Sequence, residues 1–342
     1  MSKLLLIGSL KNKKDPSKTG GTVVLFELLL NELNERKIVF DVIDTLKENY
    51  PNPTIAYLFT SFKLIKHFGK YEFISLQATN NSLILLGPIM VFLSKLFKKK
   101  TSIRKFAGDL DSVYKNSNFL KKFIIRYVLK NTNVNFFETK YLVNYFHKFN
   151  KNTYWFPNVR KQVITPKIPR SFNKRFIYIG TINEEKGIDE IIAISDQLND
   201  DYYTLDLYGP ILESKYTEEL FQQKKVNYGG SLNPTDVIDV LDSYDVLILP
   251  SYREGYPGVI IEAFSLGIPV IATRLQGIME MVQDGMNGLL IDVKESAQLK
   301  NAIESINHET YAVLSENALK SFSNFNSEEQ TNLFLKRIGI EM

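Results

Sequence analysis

Two glutamates, eight residues apart, are the side chains in this sequence best placed to do chemistry. Glu254 and Glu262 lie in segment 251–263, which follows an apolar run that predicts a buried strand ending at Pro250. If the segment runs into a helix, Glu254 lies at the helix mouth and Glu262 two turns in on the same side. Two carboxylates there can accept hydrogen bonds from sugar and ribose hydroxyls. The structural alternative is a capping glutamate and an exposed one, although an idle carboxylate is costly among the apolar neighbours of Glu262.

Two further segments offer groups that attract anions. Lys186 lies between a predicted strand ending at Gly180 and a predicted helix, where its ammonium group can pair with phosphate. Gly20 and Gly21 precede an amphipathic helical pattern over 22–33, and backbone N–H groups at a helix start bind anions. A surface lysine and a simple glycine turn are the structural alternatives for these two segments.

The elements that must position these residues alternate between strands and helices along the whole chain. This alternation predicts doubly wound α/β sheets, which bind ligands at the carboxyl ends of their strands. Strands are predicted at 4–8, 39–43, 73–76, 100–105, 135–138, 175–180, 203–208, 226–230, 246–250, 269–272 and 288–291, and the pattern is clearer in the second half of the chain than in the first.

The charge of the chain reverses near its middle. Residues 1–160 hold 26 lysines and arginines against 11 aspartates and glutamates, a net charge of +15, whereas residues 161–342 hold 16 against 27, a net charge of −11. This reversal supports a domain boundary. We therefore expect domains at 1–160 and 174–325, a proline-containing linker at 161–173, and a C-terminal helix at 326–342 that packs back on the first domain.

Composition excludes whole classes of site. The 342 residues include no cysteine and three histidines, which excludes disulfides, thiolate metal sites and a cysteine nucleophile, and argues against a histidine-rich metal centre. The apolar run at 4–8 is too short for a signal peptide. The longest apolar stretch, 82–97, contains Gly87, Pro88 and Lys95 and is shorter than the ~20 residues of a membrane span. We therefore predict no membrane-spanning helix.

Basic residues cluster at 95–105 and 121–130. These clusters are typical of a solvated surface or of a basic counterpart to the acidic second domain. They also suit attraction to anionic lipid headgroups, where each nearby lysine or arginine contributes ~1 kcal/mol. Nucleic acid is not expected as a partner, because no recognition motif accompanies the charge. The sequence predicts a cytoplasmic protein, with peripheral contact at the inner face of the cell membrane as the sharper hypothesis.

Taken in this order, the segments resemble the retaining glycosyltransferases of family 4, the group 1 glycosyltransferases. Segment 254–262 is similar to the E-x7-E motif of that family, and Gly-Ile-Pro-Val at 267–270 and Asn-Gly-Leu-Leu at 287–290 are also typical. The resemblance covers about residues 175–295, and more loosely the Gly20-Gly21 pair. It implies GT-B architecture, with two Rossmann-like domains facing across a cleft.

The resemblance also implies an activity and a set of site residues. A hexose-type sugar would pass from a UDP-sugar, or alternatively a GDP-sugar, to an acceptor with retention of configuration and without a metal or other cofactor. Glu262 would hold the ribose hydroxyls, Glu254 would contact the transferred sugar and Lys186 would neutralise the diphosphate. The implied catalytic residues are Glu254, Lys186 and Asp109. The implied donor-binding residues are Gly20, Gly21, Thr181, Lys186, Leu232, Arg253, Glu254, Gly255, Tyr256, Pro257, Gly258, Val259 and Glu262.

Two positions depart from the pattern of the family. Thr181 stands where the family generally has an arginine that stabilises the leaving diphosphate. Arg253 is the nearest candidate to replace that arginine, with Arg104 or Lys105 of the first domain as alternatives. The first domain also lacks the histidine that many relatives place near the reacting sugar. Asp109 lies in the matching region, where it either serves the acceptor hydroxyl or caps a helix.

Three functions therefore remain open at this stage. The favoured one is a glycosyltransferase that acts on a glycan or a lipid-linked saccharide in O-antigen or capsule biosynthesis. A nucleotide-sugar epimerase of the same architecture is the second, although the scarcity of histidines counts against it. A catalytically degenerate scaffold protein is the third, and the retention of Lys186, Glu254 and Glu262 together argues against it.

Overall fold

The computed structural model describes residues 4–15, 20–198 and 203–340. The chain divides into two compact units, one of which comprises Met1–Val159 with Ser327–Met342 and the other Arg160–Asn326. Each unit contains one six-stranded sheet whose paired strands all run parallel. The alternation of strands and helices predicted from the sequence is therefore confirmed as two doubly wound sheets.

In the first unit the strand order is β2-β1-β3-β4-β5-β6. The strand that sequence reasoning missed is the last, a three-residue strand within a stretch with little periodicity. The elements are β1 (Leu4–Gly8), α1 (Gly21–Glu35), β2 (Phe40–Asp44), α2 (Pro53–His67), β3 (Phe73–Ala78), α3 (Asn80–Phe97), β4 (Lys100–Lys105), α4 (Leu110–Asn116), α5 (Phe119–Asn131), β5 (Val134–Phe137), α6 (Lys140–Phe146) and β6 (Thr153–Trp155).

In the second unit the strand order is β12-β11-β10-β7-β8-β9, so that the direction of winding reverses between β7 and β10. Such a reversal opens a crevice at the carboxyl ends of the two strands, where ligands of doubly wound sheets bind. The elements are β7 (Arg175–Ile179), α7 (Ile188–Ser195), β8 (Thr204–Tyr208), α8 (Glu218–Gln223), β9 (Asn227–Tyr228), α9 (Val237–Leu241), β10 (Val246–Leu249), α10 (Gly258–Ser265), β11 (Val270–Thr273), α11 (Gln276–Met279), β12 (Gly288–Ile291), α12 (Ser296–Ser305) and α13 (His308–Phe322).

The last helix, α14 (Ser327–Ile338), belongs to the first unit and packs against α1. The Ser327 hydroxyl donates a 2.5 Å hydrogen bond to the Glu32 carboxylate, which Arg36 also pairs at 2.6 Å. Phe334 contributes an aromatic ring beside Phe136, with their centroids 5.2 Å apart. The final segment of the chain thus completes the helical layer on one face of the first sheet.

Segment 161–173, predicted as a linker, belongs instead to the second unit. The guanidinium of Arg170 donates hydrogen bonds to the backbone oxygens of Asp242 and Tyr244, and it pairs with the Asp242 carboxylate at 2.9 Å. These long-range contacts fix a stretch whose prolines and lack of periodicity had indicated a connection without structure.

The first sheet carries a hydrophobic core on each face, and the apolar strand β1 supplies side chains to both cores. Along β1, Leu4 and Leu6 point to the layer of α1 and α14, whereas Leu5 and Ile7 point to the layer of α2, α3 and α5. The period of two that strands impose on side chains divides one apolar run between two cores. Burial on both faces is what a parallel sheet requires.

Helix α3 is long and apolar enough, by length and composition, to span a membrane. Its mean hydropathy is 1.4, and 44% of the helix is buried within the protein. A core helix passes the same test, and the buried side of α3 carries Leu86 and Met90 into the core beneath β3 and β4. We therefore interpret α3 as a sheet-covering helix, in line with the expectation for stretch 82–97.

Candidate functional site

In the second unit the structure brings Lys186 and Glu254 together at the reversal between β7 and β10. Lys186 follows β7 and Glu254 follows β10, and the Lys186 Nζ lies 2.5 Å from Glu254 Oε1. The Ser251 hydroxyl donates to the same oxygen at 3.0 Å. The backbone N–H of Tyr252 donates to the Glu185 carbonyl at 2.7 Å, which holds the two loops against each other. The pair is thus built on the edge of the sheet where ligands bind.

Gly187 allows this close approach of the two loops. Its φ is +73°, in the left-handed region, and a Cβ atom there would lie 2.2 Å from the Pro250 carbonyl oxygen. The Asn183 side chain accepts the Lys186 N–H at 3.1 Å and closes the turn that presents the lysine. Glycine is therefore required at 187 both for backbone conformation and for space.

Replacing Gly187 with alanine is expected to destabilise the second unit more than replacing Gly285. Both glycines have φ of +73°, but a Cβ at Gly285 would meet nothing within 4 Å. The shared conformational strain should reduce the free energy of unfolding by about 1–2 kcal/mol in each variant. The clash with Pro250 should add about 2 kcal/mol in Gly187→Ala alone. Urea unfolding of the two variants measures the difference, and equal losses would contradict the packing argument.

Helix α10 begins at Gly258 without a side-chain cap, so the N–H groups of its first turn face outward from the start of the helix. Glu262 lies one turn into this helix rather than the two turns predicted from the sequence. Its Oε1 lies 2.6 Å from Nε of Arg160, whose side chain crosses so close to Gly258 that a Cβ there would lie 2.0 Å from an Arg160 nitrogen. No local pattern indicated Arg160, because 102 residues separate it from Glu262.

Each of the two glutamates therefore has a cation as its partner. The Glu254 side chain is 13% exposed and that of Glu262 is 18% exposed, so both carboxylates are largely removed from water. Pairing with Lys186 and Arg160 compensates this desolvation and leaves other carboxylate lone pairs available to hydroxyl groups. Burial, with a smaller contribution from the Glu254 charge, raises the pKa of Tyr178, so this phenol stays neutral beside the pair.

The remaining predicted donor-binding residues of the second unit lie around this edge or in the loops that follow its strands. Thr181 follows β7, and its carbonyl accepts the Tyr178 hydroxyl at 2.7 Å. Leu232 is half-buried in the loop between β9 and α9. In the segment that leads into α10, Arg253 and Gly255 are exposed, Tyr256 is buried and Pro257 is half-buried, as is Val259 in the first turn of α10.

In the first unit, Gly20 and Gly21 lie where the sequence predicted them, at the start of α1. Among the residues that the structure describes, no side chain caps this helix, and a Cβ on either exposed glycine would meet nothing within 4 Å. Backbone N–H groups at a helix start suit an anion.

The two other cations of the first unit that we considered as replacements for the missing arginine are buried. Arg104 lies with its guanidinium 3.6 Å from the Phe156 ring centroid and donates to the Pro157 carbonyl at 3.2 Å. Lys105 donates to the carbonyl of Phe106. Both side chains are enclosed within the first unit, so neither cation is presented to a ligand.

Asp109 occupies the N-cap position of α4, but its side chain makes no capping hydrogen bond. One of its oxygens accepts the Asn80 amide at 2.9 Å, and the other lies 3.4 Å from Lys105 Nζ. The side chain is half exposed and keeps access to solvent. Asp109 is therefore an N-cap residue in a turn whose side chain does not cap the helix, and a role for Asp109 toward an acceptor remains a prediction.

The carboxyl group of Glu138 is buried beside Arg104 and Lys105. Burial raises its pKa to about 7, against the opposing charges of the two cations. Between the ordinary value of 4.5 and about 7, the folded state holds a proton that the unfolded state has lost. The contribution of Glu138 to stability is therefore fully present below about pH 4.5 and is lost as the pH rises through about 7.

We expect the stability of the wild type to fall, relative to Glu138→Gln, by about 3 kcal/mol over this pH range. Urea unfolding of the two proteins at several pH values measures the change. Glu48→Gln, at an exposed position of the same unit, controls for the loss of one negative charge. A difference between wild type and Glu138→Gln that does not vary with pH would contradict the raised pKa.

Comparison with known proteins finds glycosyltransferases. Residues 164–321, within the second unit, match the family described as Glycosyl transferases group 1. An uncharacterized glycosyltransferase of Methanocaldococcus jannaschii is 25% identical over 94% of this chain and 95% of that protein. The capsular polysaccharide biosynthesis glycosyltransferase CapM of Staphylococcus aureus is 29% identical over 41% of this chain and 39% of that protein, so this match spans less than half of either.

Among solved structures, HepE of Anabaena in complex with UDP matches 98% of this chain and 99% of that one, with a TM-score of 0.74 and 17% identity. This likeness shows the fold. The chain therefore has the GT-B fold, and residues 164–321 of its second unit are similar to the group 1 glycosyltransferases.

Proposed function

We propose that the protein is a retaining, metal-independent glycosyltransferase that moves a hexose-type sugar from a UDP-sugar to a saccharide acceptor. The observation that carries the proposal is the pairing of Lys186 with Glu254 at the strand-order reversal of the glycosyltransferase domain. A cation and a carboxylate are thereby held together where a diphosphate and its sugar need both.

We assign each part of the donor to different residues of the second unit. Lys186 and the first N–H groups of α10 balance the charge of the diphosphate as it leaves. Glu254 accepts hydrogen bonds from the sugar, and Glu262, held by Arg160, accepts them from the ribose. In the reaction, the bond from the anomeric carbon to the diphosphate breaks, and a bond to the acceptor oxygen forms on the same face. The acceptor proton leaves with the nucleoside diphosphate.

Uracil is the base we propose, with guanine as the alternative, and we place Leu232 against it. Arg253 is the remaining candidate to supplement Lys186, because it is exposed on the loop that leads into α10. If Arg253→Ala turns over the donor like the wild type, Arg253 does not replace the missing arginine. Asp109 and the Gly21 N–H group are proposed to serve the acceptor and the diphosphate from the first unit.

The acceptor we propose is a glycan or a lipid-linked saccharide in cell-surface polysaccharide biosynthesis. The similarity to CapM, a capsular polysaccharide biosynthesis glycosyltransferase, supports this class of acceptor. The basic first half of the chain supports a cytoplasmic protein in peripheral contact with the inner face of the membrane.

The test is to incubate the purified protein with UDP-sugars and GDP-sugars without acceptor, and to follow release of free sugar together with binding of UDP and GDP. Tight binding of one diphosphate with slow release of its sugar is the expected result. If the folded protein binds neither UDP nor GDP, the proposal of an enzyme is wrong and the scaffold alternative remains. Conversion of the donor to its epimer would show that the activity is that of an epimerase and not of a transferase.

A further inference from the structure

Three helices of the first unit form one layer over its sheet. Helix α3 packs against both α2 and α5, and a close approach of Gly87 to Val128 marks the crossing of α3 with α5. The inner sides of the three helices supply Leu64, Met90 and Leu129 to the core. Their outer sides face away from the sheet and together form one surface that does not contribute to this core.

This outer surface is unusually apolar. Among the described residues, 21 large apolar side chains are exposed, and 12 of them lie on these three helices, which make up 46 residues. All six exposed phenylalanines of the described residues are among the 12. A concentration of this kind marks an interaction site. The 12 residues are Ile55, Leu58, Phe59, Phe62, Ile65, Leu85, Phe92, Leu96, Phe97, Phe119, Leu120 and Phe123.

The same three helices carry only positive charge. They contain seven lysines and arginines and no aspartate or glutamate, although the whole chain has 38 acidic residues. Some of these cations lie over aromatic rings of the layer, with Lys63 Nζ 4.7 Å from the Phe59 centroid and Lys95 Nζ 5.3 Å from that of Tyr127. Apolar side chains and cations therefore alternate over one surface, which we call the basic apolar face.

We propose that the basic apolar face docks on an anionic lipid bilayer. The apolar side chains of α2, α3 and α5 enter the boundary between headgroups and acyl chains, and the lysines and arginines contact the headgroup phosphates. This docking deepens the membrane contact of the proposed function and rests on it, since a lipid-linked acceptor is presented at that surface.

Charge complementarity selects the bilayer as the occupant. A second copy of the chain would place the same seven cations against themselves, because a two-fold interface pairs a surface with itself. An anionic bilayer offers acyl chains for the phenylalanines and a layer of negative charge for the lysines, over an area wide enough for all three helices.

The apolar part of the proposal is tested by flotation with vesicles of phosphatidylglycerol and phosphatidylcholine. The variant carries Leu58→Ser, Leu96→Ser and Leu120→Ser. We expect at least a tenfold loss of vesicle binding, because three inserted side chains become polar.

A matched control makes three similar apolar-to-serine substitutions at exposed positions outside the face. The control carries Leu212→Ser, Val313→Ser and Leu333→Ser, and Leu212 has the same 62% exposure as Leu96 and Leu120. The control should bind vesicles like the wild type, and thermal unfolding should show that both variants are folded.

The basic part is tested with a second pair of variants of equal net charge. One carries Lys66→Gln, Lys121→Gln and Lys130→Gln on the face, and the other carries Lys151→Gln, Lys320→Gln and Lys336→Gln elsewhere on the surface. Each lysine removed from the face should weaken binding about fivefold, whereas the control should change little. Vesicles of pure phosphatidylcholine should bind the wild type more weakly than anionic ones.

Each contrary outcome overturns the docking proposal. Face variants that float like the wild type would remove the lipid contact. A concentration-dependent dimer of the wild type that is lost in the variant with the three Leu→Ser changes on the face would assign the face to a second copy.

Hydrolysis of the UDP-sugar in solution is measured on the same proteins and does not require vesicles. Flotation without hydrolysis would therefore count against the proposed enzyme alone, and hydrolysis without flotation against the docking alone.

Discussion

Lys186→Met is expected to lower the turnover of the sugar nucleotide by about 10²–10³-fold. Methionine has nearly the length of lysine but no charge, so the leaving diphosphate would lose the cation that we propose balances its charge from the turn after β7. Glu254 would also lose its 2.5 Å partner and keep only the Ser251 hydroxyl, which places an uncompensated carboxylate beside two phosphates. Both effects act on the same step, and release of free sugar without acceptor measures them together.

Lys224→Met is the matched control for this prediction. Lys224 is also a lysine of the second unit paired with a carboxylate, that of Asp196, but it lies at the end of α8. Loss of this exposed pair should leave turnover unchanged and stability almost unchanged. If Lys186→Met and Lys224→Met turn over the donor equally, the role assigned to Lys186 is wrong.

Much of the fold follows from the sequence because strands in parallel sheets are buried on both faces. The predicted bounds of β1 and β4, 4–8 and 100–105, are those that the structure shows, Leu4–Gly8 and Lys100–Lys105. Strand β6 escaped prediction because three residues supply no pattern, and its pairing with β5 comes from the sheet rather than from local preference.

The site was predictable where it depends on loops next to the strands, and not where it depends on distant pairing. Lys186 and Glu254 follow β7 and β10, and the order of strands brings them together at the winding reversal. Arg160 has no such local signal, since only the folded chain brings it to Glu262. The burial of Arg104 and Lys105 was not predictable either, because it depends on contacts with aromatic rings and backbone carbonyls that sequence spacing does not reveal.

The solvent exposure of apolar side chains in the first unit was also not predictable from the sequence pattern. The basic clusters at 95–105 and 121–130 were evident, but the sequence did not show that apolar residues near them are exposed. The structure shows that α2, α3 and α5 are apolar on two sides, one toward the sheet and one toward solvent. Hydrophobic periodicity alone cannot separate these two sides when both are apolar.

Glu262→Ala is expected to weaken binding of UDP by about 30-fold, or about 2 kcal/mol. The variant removes the carboxylate that is proposed to accept the ribose hydroxyls, and it leaves Arg160 without its 2.6 Å partner at the start of α10. Titration calorimetry measures the loss. Glu316→Ala, which removes an exposed glutamate of α13 paired with Lys320, is the control and should bind UDP like the wild type.

A ligand that lacks the hydroxyls separates direct contact from a structural role of Glu262. If Glu262 accepts the ribose hydroxyls, the wild type should bind 2′,3′-dideoxy-UDP about 30-fold more weakly than UDP, whereas Glu262→Ala should bind the two ligands alike. A purely structural role would weaken both ligands by the same factor and preserve the preference of the wild type for UDP. That result would move the ribose contact away from Glu262 and leave the Arg160 pair as a device that only fixes α10, because the preference for the hydroxyls would then come from another group.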